Sequence, residues 1–220
     1  MGDMTAHGGI IVTGCFTVLI GDAGAGGGGG GAATPGPAAP TPKAAATGPK
    51  EGDPVKLDDD MLKKSPTLSK QLEQLQKDGW KIEYGAKGKG SFASKGSKKI
   101  TIDPNNAASP EKLTQTVSHE VGHALYTGKP DTSSKKAYVD SQLADEGAAT
   151  LNNVKVRREI LKNGGKDIGI AGTKGKEYDA AYDDFLKDGD EAKAREKIGK
   201  IFGDGEKTSN TGQTYNDYYG

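Results

Sequence analysis

The sequence predicts an α+β domain, mainly helical with a small antiparallel sheet, preceded by a disordered Gly/Pro/Ala linker. Three observations predict it. Residues 21–54 read GDAGAGGGGGGA followed by ATPGPAAPTPKAAATGPKEGDP, which holds almost no side chain able to bury surface. From about residue 55 onward, apolar residues recur at helical spacing in several capped segments. Between Trp80 and Asp103 the spacing switches to strand-like alternation. The predicted organisation is therefore residues 1–20 as a separate piece, 21–54 as a flexible linker and 55–220 as the folded domain.

Ser65-Pro66 starts the first predicted helix, with Ser as N-cap and Pro at the first helical position. Leu68, Leu72 and Leu75 follow at helical spacing, and Gly79 closes the segment. Trp80, Ile82 and Tyr84 then alternate as a half-buried strand. Turns rich in Gly, Ser and Lys surround a short strand at Ser91–Ala93, and Lys98–Asp103 alternates again. Ser109-Pro110-Glu111 opens a helix with Leu113, Val117, Val121, Ala124 and Leu125 on its apolar face, ended by Gly128 and Pro130. Asp140 is expected to cap a long helix over about 141–162, with Leu143, Leu151, Val154 and Leu161 inward. Helices over about 177–187 and 190–202 complete the domain, before a polar tail whose Tyr215, Tyr218 and Tyr219 are read as packing groups.

The charge balance narrows the partners. Thirty basic and thirty acidic side chains leave no net charge. That argues against nucleic acid as the main partner and against a polybasic membrane anchor. No apolar stretch approaches the roughly 20 residues that a bilayer requires. A single cysteine rules out an intramolecular disulfide framework.

The first 20 residues contain an apolar run, Ile10–Ile20, with no Lys or Arg before it, so no cleavable signal peptide is expected. Val12-Thr13-Gly14-Cys15 matches a lipoprotein box only superficially, because the apolar run continues past Cys15. Two short strands, Ile10–Thr13 and Phe16–Ile20, account for the segment better. GDMTAHGGIIVTGCFTVLIG resembles the closing repeat of PAAR proteins, the tips of type VI secretion spikes. That resemblance implies a VgrG-like spike protein as partner, and secretion into target cells. Of the family's tip ligands, only His7 and Cys15 have counterparts, and ordinary loop roles suit them better.

The chemistry is carried by His119-Glu120-Val121-Gly122-His123, an H-E-x-x-H motif inside a predicted helix. Residues i and i+4 share a helix face, so both imidazoles can reach one ion. Glu120 is rotated by about 100° from His119, which places its carboxylate beside the ion. There it can take a proton from an activated water and later deliver it to a leaving amine. Three histidines and eleven glutamates placed at random produce this pattern in on the order of one sequence in a thousand. Zinc hydrolases use three protein ligands and keep a place for water. Glu146 is the predicted third ligand and Asp145 its competitor, on the following helix. Gly147, Ala148 and Ala149 would let the two helices approach, and Asn152 or Asn153 could support a ligand.

This arrangement resembles the gluzincin metallopeptidases, in which H-E-x-x-H is followed by a glutamate on a second helix. The resemblance implies a zincin-like fold, Zn2+ on His119, His123 and Glu146, and Glu120 as general base. Thr150 stands where better-known members carry an acidic residue, so their support for a ligand histidine is missing or replaced. SHEVGHALYTG with DEGAATLNNVKVRREI looks like the toxin metallopeptidase domains of type VI effectors. That implies a secreted antibacterial toxin, a protein or peptide substrate and a cognate immunity protein. Tyr138, Tyr178 and Tyr182 are candidate donors to the tetrahedral intermediate, and Ser91–Ala93 or Lys98–Asp103 the candidate edge for an extended peptide. A spike-tip adaptor with a purely structural metal, and a zinc hydrolase of cell-wall amides, stay open as alternatives.

Overall fold

The structure is a computed structural model that describes residues 48–208 and 212–219. The expected PAAR-like piece, with His7 and Cys15, and most of the expected linker lie outside these residues. The rest is α+β and mostly helical. Two short helices come first, α1 (Asp59–Lys64) and α2 (Pro66–Lys77), capped by Asp58 and Ser65. Three strands follow: β1 (Lys81–Tyr84), β2 (Phe92–Ser94) and β3 (Lys99–Ile102). Then come α3 (Pro110–Leu125), α4 (Lys135–Lys162), α5 (Gly175–Asp188), α6 (Glu191–Gly205) and the one-turn α7 (Tyr215–Tyr219).

The sheet corrects the expectation of an all-antiparallel arrangement. Its order is β1-β3-β2, with β2 and β3 antiparallel but β1 and β3 parallel. Alternation reports a strand but not its direction. The long 85–98 connection gives the chain room to return in the same sense. The Gly52 N–H donates to the Tyr84 carbonyl and the Val55 N–H to the Ile82 carbonyl, while the Tyr84 N–H donates to the Asp53 carbonyl. The expected linker boundary at 54 thus falls within a segment that pairs along β1.

Further differences concern α4 and the tail. Helix α4 starts at Lys135 under a Ser134 cap rather than at Asp140, because the Ser134 side chain accepts from the Ala137 N–H. Leu161 is 38% exposed, and Ile160 takes the inward place near the helix end. The tail folds as α7, with Tyr215 buried.

Two apolar cores result. The first joins α1, α2, the sheet, α3 and the end of α4 through Met61, Leu68, Ile100, Ile102, Val117 and Ile160. The second joins the front of α4 to α5, α6 and α7 through Leu143, Tyr178, Ile198, Phe202 and Tyr215. Helix α3 leans on the first core, and its contact with α4 sets the position of the site.

Candidate metal centre

The H-E-x-x-H segment occupies the last turns of α3. Ser109 caps that helix by accepting from the Lys112 N–H, and Pro110 occupies its first turn. Leu113, Val117 and Val121 bury one face against the sheet, a spacing that leaves His119 and His123 on another face. Gly122 allows the close crossing: a Cβ there would sit 2.5 Å from the Ala149 Cα. Of the three small residues expected at this contact, Gly147 faces elsewhere. A Cβ on it would lie 2.2 Å from the Arg195 carbonyl oxygen of α6.

This crossing brings His119, His123 and Glu146 together, with one ligand atom from each within 4.8 Å of the others. Each imidazole Nε2 lies 3.6 Å from Glu146 Oε2. That is too long for a hydrogen bond. Two ligands bound tetrahedrally at zinc-type distances would lie about 3.4 Å apart. Glu146 is 1% exposed, and neither of its carboxylate oxygens has a hydrogen-bond partner among the described residues. A buried carboxylate without hydrogen bonds is costly, and a cation between the three side chains removes that cost. The group could therefore hold a metal ion, and the donor set fits one.

Asp145 does something other than compete with Glu146. Its Oδ1 lies 2.8 Å from His123 Nδ1 and its Oδ2 accepts from Lys95 Nζ at 2.9 Å. It supports His123 from the side opposite the candidate metal position. Thr150 is fully buried, and its hydroxyl makes no hydrogen bond among the described residues. Asn152 and Asn153 do not bind the ligands. Both grip Ser118, through its carbonyl and its hydroxyl, and so steady the start of the motif.

The electrostatics follow from burial. Desolvation pushes the Glu120 carboxyl above the ordinary carboxylate range, against the pull of both imidazoles. Desolvation alone would lower His123, but Glu146 and the bond to Asp145 carry it up to about 9. Burial also acts on Asp145, yet its bonds to His123 and Lys95 outweigh it and hold that carboxyl low.

The three candidate tyrosines are not gathered at the site. The Tyr178 hydroxyl donates to Glu206 at 2.8 Å. Tyr182 packs in the second core beside Phe185, and Tyr138 stands edge-on to Tyr219. The tail tyrosines feel the charge of the acidic ligand. After burial, the charge of Glu146 is the largest influence raising the Tyr215 and Tyr219 hydroxyls. Sequence reasoning had only the terminal tyrosine cluster as a signal for this.

Comparison with protein-family models, with curated proteins and with solved structures finds no match to this chain. What stands is an α+β, mostly helical protein with a buried His119–His123–Glu146 group able to hold a metal ion.

Proposed function

We propose that this chain is a zinc-dependent peptidase, delivered into target cells by a type VI secretion spike as an antibacterial toxin. The carrying observation is the buried Glu146 carboxylate, without a hydrogen bond among the described residues, facing two imidazole nitrogens. Two His and one Glu make a common zinc set that leaves a coordination place open. Zinc, when bound, would polarise a carbonyl and make a nearby water more acidic.

The protein's own residues supply the rest. Glu120 takes the proton from the attacking water and passes it to the leaving amine. Its raised affinity for protons suits a base that must also act as an acid. Asp145 orients His123. An extended peptide is held along β2. Strand β3 is central and so cannot be the edge. The far side of β1 is taken by residues 52–55. Among the described residues, no strand pairs with the outer side of β2. The remaining parts of the reading, a VgrG-like partner and an immunity protein, rest on the sequence resemblance.

Glu120→Ala tests the reading. The variant is expected to bind zinc at wild-type stoichiometry, measured by elemental analysis, and to lose toxicity towards target cells. Full toxicity in that variant would remove the enzymatic reading.

A further inference from the structure

The two histidines of the candidate metal centre are supported unequally. His123 Nδ1 has Asp145 Oδ1 at 2.8 Å, whereas His119 Nδ1 is buried and has no hydrogen-bond partner among the described residues. Both rings turn Nε2 towards Glu146. A neutral imidazole that binds a metal through Nε2 carries its proton on Nδ1. The His119 ring then presents a buried donor, and leaving such a donor unmet is costly.

An acceptor stands on the facing helix. Thr150 is fully buried, and its hydroxyl also has no hydrogen-bond partner among the described residues. Its place on α4 is one turn beyond Glu146, on the same face. The helix crossing sets it level with His119. Ser118, the residue before His119, is held by Asn152 and Asn153, while Gly122 packs on Ala149. A helical threonine can give its hydroxyl to the carbonyl four residues back. Thr114 and Thr116 of α3, both buried, do so, donating to the Pro110 and Lys112 carbonyls at 2.7 and 3.1 Å. Thr150 does not, so its hydroxyl is left for a group outside its own helix.

We infer that Thr150 is a positioning residue for His119: its hydroxyl accepts the Nδ1 proton, directly or through one water, once Nε2 is on the ion. The two buried groups then satisfy each other, and the ring is held with Nε2 towards Glu146. This rests on the metal reading above and deepens it. The two ligand rings have unlike supports, a charged carboxylate behind His123 and a neutral hydroxyl behind His119.

The experiment titrates the full chain with Zn2+ against a competing chelator. Thr150→Val keeps the shape of the side chain and removes the hydroxyl. Its zinc affinity is expected to fall about tenfold, while its urea midpoint without zinc stays at or above that of wild type, because an unmet buried hydroxyl has gone. Thr150→Ser should restore most of the affinity. In the zinc-loaded wild type, nitrogen-15 NMR should place a proton on His119 Nδ1, with a nuclear Overhauser contact to the Thr150 methyl group. That contact is read on wild type alone, so it decides even where the valine variant does not fold. Three results overturn this inference and leave the metal site standing: zinc-loaded wild type without the contact, Thr150→Val with wild-type affinity, or no recovery in Thr150→Ser. Wild type that takes up no zinc overturns both.

Discussion

The two apolar cores are built by different means. The first is almost wholly aliphatic, with Met61, Leu68, Leu75, Ile100, Ile102, Val117 and Val121 at its centre. The second draws on Tyr178, Tyr182, Phe202 and Tyr215. In the first, stripes of branched side chains make the contact. In the second, backbones come close: a Cβ on Gly147 would lie 2.2 Å from the Arg195 carbonyl oxygen, and one on Gly199 would lie 2.4 Å from that of Leu143. Helix α4 serves both, giving Leu143, Leu151 and Val154 to one core and Val156 and Ile160 to the other. The metal group sits where α3, from the first core, meets the part of α4 that belongs to the second. Its geometry therefore depends on both.

The strongest way to break this comparison is Phe202→Ala. Phe202 is 1% exposed and its ring lies 4.7 Å from that of Tyr215. The loss is expected at about 3–5 kcal/mol, read from urea denaturation. Trp80, the single tryptophan, packs against the first core and reports on it by fluorescence. Tyrosine near-ultraviolet ellipticity reports mainly on the second. Both signals should shift together, since α4 runs through both cores; separate midpoints would make the cores independent units.

Two glycine variants sharpen the contrast. Gly147→Ala drives a methyl group into the α6 backbone and should cost about 1–3 kcal/mol of stability. Gly122→Ala drives one into the α4 backbone at the metal crossing. It should cost a similar amount and, unlike Gly147→Ala, weaken zinc binding at least as strongly as it weakens the fold. Parallel calorimetry of unfolding and of zinc binding separates the two.

The smallest effect is a proton count. In the metal-free chain His123 is raised to about 9, so it carries a proton at neutral pH. A metal ligand must be neutral, so binding expels that proton. Zinc affinity should climb about tenfold per pH unit between neutral pH and about 9 and flatten above it. Binding heats measured at neutral pH in buffers of different ionisation enthalpy should show one proton released from this group.

Much of the first core was legible because its residues obey one period at a time. Ser65-Pro66 and Ser109-Pro110 announced helix starts that the structure keeps, and the i, i+4 spacing of His119 and His123 put both on one face. Glu146 could be singled out because a metal needs a third donor and few acids lie within reach. Strand direction was hidden, since β1 reads the same whether it runs with or against β3. The roles of Asp145 and Lys95 were hidden too. Lys95 lies in a Gly/Ser/Lys turn with no periodic signal, and only the fold carries it across to α4. Helix α4 also gave little warning of its true start, because a helix buried by two different cores has no single apolar stripe.

Glu206 carries a consequence for how the molecule comes into being. Its carboxylate accepts from the backbone N–H groups of Thr173 and Lys174, from the Thr173 hydroxyl and from the Tyr178 hydroxyl, so it completes the beginning of α5 from the far end of α6. A ribosome must extrude the chain as far as Glu206, beyond α6, before that helix start is satisfied. Products that stop short of residue 206 lack this lock, so α5 gains its finished start only after α6 has been made.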